Sequence, residues 1–298
     1  MSEEVPLRMP EHLIARAKSL VGADPVWGSA GADWQPPPLR HAATIVLVRD
    51  YGNGPEVYLQ RRVPTMAFAA GMFVFPGGAV DPIDITRAKA WVTAQQTAES
   101  ADGLPEFARR PADVIGEDTL AARFAAVREV SEEAGVDLGD EVALSMAYIA
   151  HWATPAVEDR RYDTRFYAVA ITSSQHTSQT SGESDQHVWI SPKDALEQYG
   201  RGELLMLPPT VAVLGAFSTA VDQKPGWGCQ DVIELLAREP IVPLMPHPVA
   251  DPDQDGGLGW NLVDVRTEHQ VAPSGFPPAG SEAGGIHTSL VNRDGRSS

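Results

Sequence analysis

Three glutamates fall within nine residues, Arg128-Glu129-Val130-Ser131-Glu132-Glu133-Ala134-Gly135-Val136. At about 100° per residue, offsets of i, i+3 and i+4 put Glu129, Glu132 and Glu133 on one helical face. Leu120, Phe124, Val127 and Ala134 lie opposite as an apolar stripe, which predicts a helix over Thr119–Ala134. Gly135 suits the left-handed residue just past the helix end. Three carboxylates so close repel one another unless something neutralises them. A hard, oxygen-seeking divalent cation does so, Mg²⁺ first. Arg128, four residues before Glu132, can also hold that carboxylate in place. From this run alone a solvated acidic helix face remains an equal alternative.

About fifty residues upstream stands Gly71-Met72-Phe73-Val74-Phe75-Pro76-Gly77-Gly78-Ala79-Val80-Asp81. Together the two segments resemble the Nudix box, G-x5-E-x7-R-E-U-x-E-E-x-G-U, where U is a bulky aliphatic residue. Gly78 takes the first glycine. Asp84 stands where the box has its first glutamate, and Arg128 to Val136 matches the remainder in full. The spacing departs from the box: 43 residues separate Asp84 from Arg128, where the unbroken box has seven. This resembles the interrupted-box branch of the family, which includes the peroxisomal acyl-CoA diphosphatases. His151-Trp152-Ala153-Thr154-Pro155, Trp189-Ile190-Ser191-Pro192 and Leu207-Pro208-Pro209-Thr210 are similar to that branch as well.

The resemblance implies an α/β fold, an α/β/α sandwich with a mixed sheet and the glutamate helix on one side. It implies hydrolysis of a diphosphate linkage in a nucleoside-diphosphate conjugate, with Mg²⁺ or Mn²⁺ as cofactor. Glu129, Glu132 and Glu133 would hold the metal, Glu133 centrally. Gly77 and Gly78 would let backbone approach metal or phosphate closely, although a tight turn alone would also call for them. Arg128 and Asp84 would support the site, with Glu117 or Asp118 as alternatives for the acidic position before the helix. The general base in this family often comes from a loop outside the box, and Glu183 is at the expected place; a solvated loop carboxylate is the alternative. Arg61, Arg62, Arg160, Arg161 and Arg165 are candidates for phosphate contacts; a structural Arg–Asp pair serves equally for Arg161, Asp163 and Arg165. The motif that CoA-hydrolysing members carry before the box is half present. Arg62 and Gly71 to Gly78 fit it, but Ala67 stands at its second arginine and Tyr58-Leu59-Gln60 at its start. CoA or acyl-CoA is the first expectation for substrate. ADP-ribose, NADH and dinucleotide polyphosphates remain open, as does a non-catalytic nucleotide-binding regulator, which would ordinarily have lost box carboxylates.

The elements that must position these residues read as follows. Pro10–Val21 predicts a short helix, and a proline-rich linker follows. Ala42–Arg49 and Glu56–Arg61 predict a hairpin, and Met72–Phe75 a short buried strand. Ala88–Ala98 predicts a helix at the start of an insertion of about 85–118 that loops out of the domain. Ala143–Trp152, Tyr162–Ile171 and His187–Ile190 predict strands, with a mobile loop over 176–185. Pro192–Tyr199 and Pro209–Ala220 predict helices. The organisation is an N-terminal arm (1–40), a domain at 41–245 and a largely disordered Gly/Pro/Asp/Ser-rich extension over 246–298.

Composition narrows the partners. The chain has 298 residues and a net charge of −17. That acidity argues against a nucleic-acid or anionic-membrane binder but not against a small phosphorylated substrate reached through a bound cation. The single cysteine, Cys229, rules out an intrachain disulfide and fits a reducing compartment, so the cytoplasm is expected. No apolar run approaches the roughly 20 residues a membrane span needs. Oligomeric state is not legible.

Overall fold

The structure, a computed structural model, describes residues 9, 11–21, 35–52, 54–66, 69–98, 104–172, 177, 182–250 and 258–267. Ala67 and most of the loop before Gly182 therefore lie outside the described residues.

The scaffold is a mixed sheet with helices on both faces: α1 (Glu11–Val21), α2 (Pro82–Ala98), α3 (Glu106–Arg109), α4 (Leu120–Ala134), α5 (Gly139–Ser145), α6 (Pro192–Gly200), α7 (Pro208–Gln223) and α8 (Cys229–Ala237). The strands are β1 (Arg40–Tyr51), β2 (Gly54–Arg62), β3 (Phe73–Val74), β4 (Gly77–Ala79), β5 (Ala147–Ala153), β6 (Tyr162–Ala170), β7 (Ser184–Ile190), β8 (Leu244–Ala250) and β9 (Leu258–Asp264). The main path runs β3-β2-β1-β6-β5-β8-β9, with β4 paired to β1 and β7 to β2. The β1/β6 and β5/β8 pairs are parallel, the others antiparallel. The expected hairpin is present, with Tyr51 opposite Gly54.

Strand alternation sorts the core onto two sides. Ile45, Leu47, Tyr58 and Tyr167 face the glutamate helix, with Phe124, Val127 and Val130 packed against them. Val46, Val48, Val57 and Leu59 face the other way, toward Val213, Leu214 and Phe217 and toward Val232 and Ile233. The helices there are Pro192–Gly200, Pro208–Gln223 and Cys229–Ala237. This is the sandwich the sequence leads one to expect.

Four segments differ from expectation. The helix α2 spans Pro82–Ala98, so it begins six residues before Ala88. It docks instead of looping out: Ile85, Ala88, Trp91 and Val92 join the core under the glutamate helix. Arg87 pairs with Asp140 and lies over the Phe124 ring, 4.6 Å from its centroid. The stretch expected as a strand from Ala143 opens with a helix, Gly139–Ser145, whose buried Ala143 lies three positions before the buried Met146. Cys229–Ala237 is a helix that the sequence reading passed over. Within the extension, β8 and β9 pair antiparallel from Leu244↔Asp264 to Ala250↔Leu258 and continue the sheet. Pro246 and Pro248 are two residues apart, so their missing donors fall on one strand edge and leave the other free to pair.

Candidate active site

The glutamate helix is α4, Leu120–Ala134. Thr119 caps its start by accepting a hydrogen bond from Ala122 N. Gly135 ends it in the left-handed region (φ 67°), as expected, its N–H donating to Ser131 O.

The two parts of the split box meet at a fork in the sheet. The outer half of β1 pairs with β2, while its inner half, Ala42–Thr44, pairs with β4. That fork seats Gly77 and Gly78 against α4. Gly77 N donates to Glu133 Oε2 at 2.9 Å. A Cβ on Gly78 would sit 2.4 Å from the Glu129 carboxylate, and one on Gly77 would sit 2.4 Å from Ala43 O. Neither glycine has a positive φ, so space, rather than a special turn conformation, dictates them.

Each carboxylate has its own surroundings. Glu133 is 4 % exposed and also accepts from Gln60 Nε2 at 2.6 Å. Its burial pushes its carboxyl up to about 7, against the bonds from Gly77 and Gln60 and the nearby Arg62 charge, and Glu129 adds to the rise. Burial also raises Glu129, with Arg128 opposing. The Glu132 side chain is 57 % exposed. The predicted i→i+4 contact is present, Arg128 Nη1 reaching Glu132 Oε2 at 3.0 Å. The same nitrogen reaches Glu129 Oε1 at 2.8 Å.

Asp84 lies in the first turn of α2 and is buried. It takes Arg128 Nε at 3.1 Å and Nη2 at 2.9 Å, a two-pronged pair that holds the guanidinium firmly charged. Arg128 Nη2 also donates to Ala79 O. Glu117 and Asp118 are engaged elsewhere. Asp118 binds the buried Arg123 and the Tyr167 hydroxyl, and Glu117 meets Arg110 and Arg266. Asp84 is thus the acidic residue that joins the site.

Two arginines on β6 or just before it are not part of this cluster. Arg165 is fully buried: it pairs with Asp163 and donates to Val114 O and Glu117 O, pinning the end of the insertion. Arg161 donates to the Pro37 and Thr154 carbonyls. It precedes Tyr162, which pairs with Arg40, whereas Gly77 pairs with Thr44. That places Arg161 about 16 Å along the strand direction from the glutamates. Its guanidinium anchors the Pro37 segment, apart from the glutamate cluster. Arg61 pairs with Asp185 at 2.7 Å. Arg62 sits close enough to act on Glu133. Glu183 is exposed beside it, its carbonyl accepting from Val63 N.

Sequence reasoning missed Gln60, Tyr58 and His187. Gln60 is a buried polar residue flanked by the apolar Leu59, and the period of two that puts Tyr58 and Gln60 on the α4 face could have exposed it. Tyr58 OH bonds His187 Nδ1 at 2.9 Å.

Among the described residues no three His, Cys, Asp or Glu side chains close round one point as a preformed cation cage. Arg128 instead bonds both Glu129 and Glu132. The donor set nonetheless fits a hard cation: two poorly solvated carboxylates, Glu129 and Glu133, and a third, Glu132, on the rim. A cation would take the place of Arg128 as the charge that Glu129 and Glu132 face.

A NUDIX domain model matches residues 38–207. The chain is 24 % identical to the acyl-coenzyme A diphosphatase NUDT19 of Gallus gallus, over 79 % of this chain and 86 % of that protein. The crystal structure of a NUDIX hydrolase from Alicyclobacillus acidocaldarius is similar at 28 % identity and a TM-score of 0.50, covering 68 % of this chain and 99 % of that one. With the matched domain spanning more than half its length and the box assembled at one fork of the sheet, the chain belongs to the Nudix hydrolases, a family of pyrophosphohydrolases that generally use a divalent metal.

Proposed function

We propose that this protein hydrolyses the diphosphate linkage of CoA or acyl-CoA with Mg²⁺ or Mn²⁺. The observation that carries the diphosphatase reading is the junction of Gly77, Gly78, Glu129 and Glu133 across the long interruption of the box. The CoA assignment is supported by the chicken relative's name and by Arg62, which fits the half-matched CoA motif and whose charge reaches Glu133.

Glu129, Glu132 and Glu133 would hold the metal. When bound, it supplies positive charge for the phosphoryl oxygens and acidity for an attacking water. The chain's own groups do the rest. Arg128, braced by Asp84, keeps the carboxylates gathered before binding. Gly77 N fixes one Glu133 oxygen, which leaves the other to face the cation. Arg62 offers a guanidinium to a substrate phosphate. Glu183, on the exposed edge beside Arg62, takes the proton from water.

The test is a hydrolysis screen over CoA, acyl-CoA, dephospho-CoA, ADP-ribose, NADH and dinucleotide polyphosphates with each metal and identification of products. Release of 3′,5′-ADP and a 4′-phosphopantetheine product is expected. Turnover confined to the other conjugates overturns the CoA assignment. No turnover of any of them leaves a nucleotide-binding regulator.

A further inference from the structure

Two buried polar atoms on β2 and β7 have no partner among the described residues, Gln60 Oε1 and His187 Nε2. They belong to a directly opposed cross-strand pair, Gln60↔His187 on β2 and β7. Side chains so placed are neighbours, with Cβ atoms about 5 Å apart. A buried acceptor left unpaired costs about 1–3 kcal/mol, so one at this position calls for a reason.

The polarity of the surrounding bonds supplies it. The Tyr58 side chain is buried, and its hydroxyl meets His187 Nδ1 at 2.9 Å. Burial, with Glu133 adding, lifts the phenol to about 12, so it keeps its proton and donates it to Nδ1. Burial lowers His187, with Asp185 opposing, so the ring is neutral. Its remaining proton is then on Nε2. A donor therefore stands across the strand pair from Gln60 Oε1. On the other side of the amide, Gln60 Nε2 donates to Glu133 Oε2 at 2.6 Å. The two bonds that are made, Tyr58 to His187 and Gln60 to Glu133, run in the same direction, and His187 Nε2 and Gln60 Oε1 are the unbonded donor and acceptor between them. Turning the amide over would set its oxygen against a carboxylate and its NH₂ against a second donor.

We infer that Gln60 is a positioning residue for Glu133, its amide orientation set by His187 on the neighbouring strand, which Tyr58 of its own strand holds in turn. Gln60 and Gly77 both bind Oε2, so the pair fixes the carboxylate's rotation and directs Oε1 away from the protein donors. The inference rests on the reading of Glu133 as a metal ligand. Outer partners of a metal ligand typically contribute 10–100-fold in affinity.

The test titrates Mn²⁺ into the full-length protein without substrate and follows free Mn²⁺ by electron paramagnetic resonance. Glu133→Gln and Gln60→Met are compared with wild type. Methionine keeps the volume and removes both the donor and the acceptor. Loss of affinity in Glu133→Gln together with a weakening of about tenfold or more in Gln60→Met, both proteins folded by circular dichroism, is the expected result. Loss in Glu133→Gln with wild-type affinity in Gln60→Met overturns the positioning role alone. Wild-type affinity in Glu133→Gln overturns the ligand reading and the inference with it. If Gln60→Met does not fold, His187→Phe leaves the amide in place and removes the donor behind it. Severalfold weaker Mn²⁺ binding then supports the role, and wild-type binding overturns it.

Discussion

Gly77 and Glu133 lie 56 positions apart in sequence and share a 2.9 Å hydrogen bond from backbone N–H to carboxylate. This bond joins the two parts of the box directly, strand to helix, with the start of the interruption packed against α4.

Glu133→Gln should separate activity from stability. A carboxyl raised to about 7 in the fold contributes stability that is full below its unfolded value, near 4.5, and lost as pH rises through 7. Metal-free wild type should therefore carry an ionised, poorly solvated Glu133 at pH 8. Both bonds from Gly77 and Gln60 end on Oε2, so a glutamine oxygen can accept them. In EDTA at pH 8 the variant should be more stable, by on the order of 1–3 kcal/mol, and the gain should vanish at pH 4.5. Most turnover at saturating Mg²⁺ should be gone. Urea unfolding at the two pH values checks the sign, and a variant less stable than wild type at pH 8 refutes it.

The two glycines should fail differently when changed to alanine. A Cβ at position 77 meets the fixed backbone of β1, at Ala43 O and Thr44 Cα. At position 78 it meets the far end of the Glu129 side chain, which can swing aside. Gly77→Ala should lower stability by about 2 kcal/mol or more, read as a fall in thermal midpoint. Gly78→Ala should leave the midpoint within a few degrees and weaken Mn²⁺ binding. Equal destabilisation by both would contradict this geometry.

A buried network should set the acid limit. His151 Nε2 bonds Asp163 Oδ1 at 2.6 Å, and the Tyr148 hydroxyl bonds His151 Nδ1. Burial lowers His151, with Asp163 opposing. Burial works to raise Asp163, but bonds from His151 and His41 and the charge of Arg165 hold it well below the usual carboxylate range. Both groups are depressed in the fold, so the stability each contributes is lost as pH falls: below about 6.5 for the imidazole and below about 4 for the carboxylate. His151→Gln keeps an acceptor for Tyr148 and a donor for Asp163 but does not titrate. Between pH 6.5 and 5 the variant should lose less stability than wild type, measured by urea midpoint. Parallel curves would remove His151 from the account.

Arg62→Ala tests the substrate. CoA carries a 3′-phosphate that dephospho-CoA lacks. If Arg62 serves that group, KM for CoA should rise about 10–100-fold, from a charged hydrogen bond of roughly 1.5–3 kcal/mol, with dephospho-CoA little changed. Equal loss on both substrates would assign Arg62 to the diphosphate or to the Glu133 carboxylate.

Much of this was legible because single residues carry strong local rules. Gly135 marked the helix end, the glutamate spacing fixed the active face, and two strand-forming runs around a glycine-containing turn located the hairpin. Other features depend on contacts that no local pattern records. The docking of α2 rests on Ile85, Trp91 and Val92 meeting α4, and Ala143–Ser145 is too short an apolar stretch to separate helix from strand. Pro246 and Pro248 disguised a strand as a linker. Gln60 read only as a mismatch to a motif, because its importance comes from a residue 73 positions away.

The docked α2 has a consequence for how such a box tolerates interruption. Chain-closure entropy grows only with the logarithm of loop length. Stretching the link between Asp84 and Arg128 from seven residues to 43 costs about 1.6 kcal/mol in the unfolded chain. One two-pronged guanidinium–carboxylate contact between those same residues is of that size, at roughly 1.5–3 kcal/mol. The interruption therefore behaves as a graft whose length is nearly neutral, while its junctions, Asp84 at one end and Arg165 gripping Val114 and Glu117 at the other, carry the constraint.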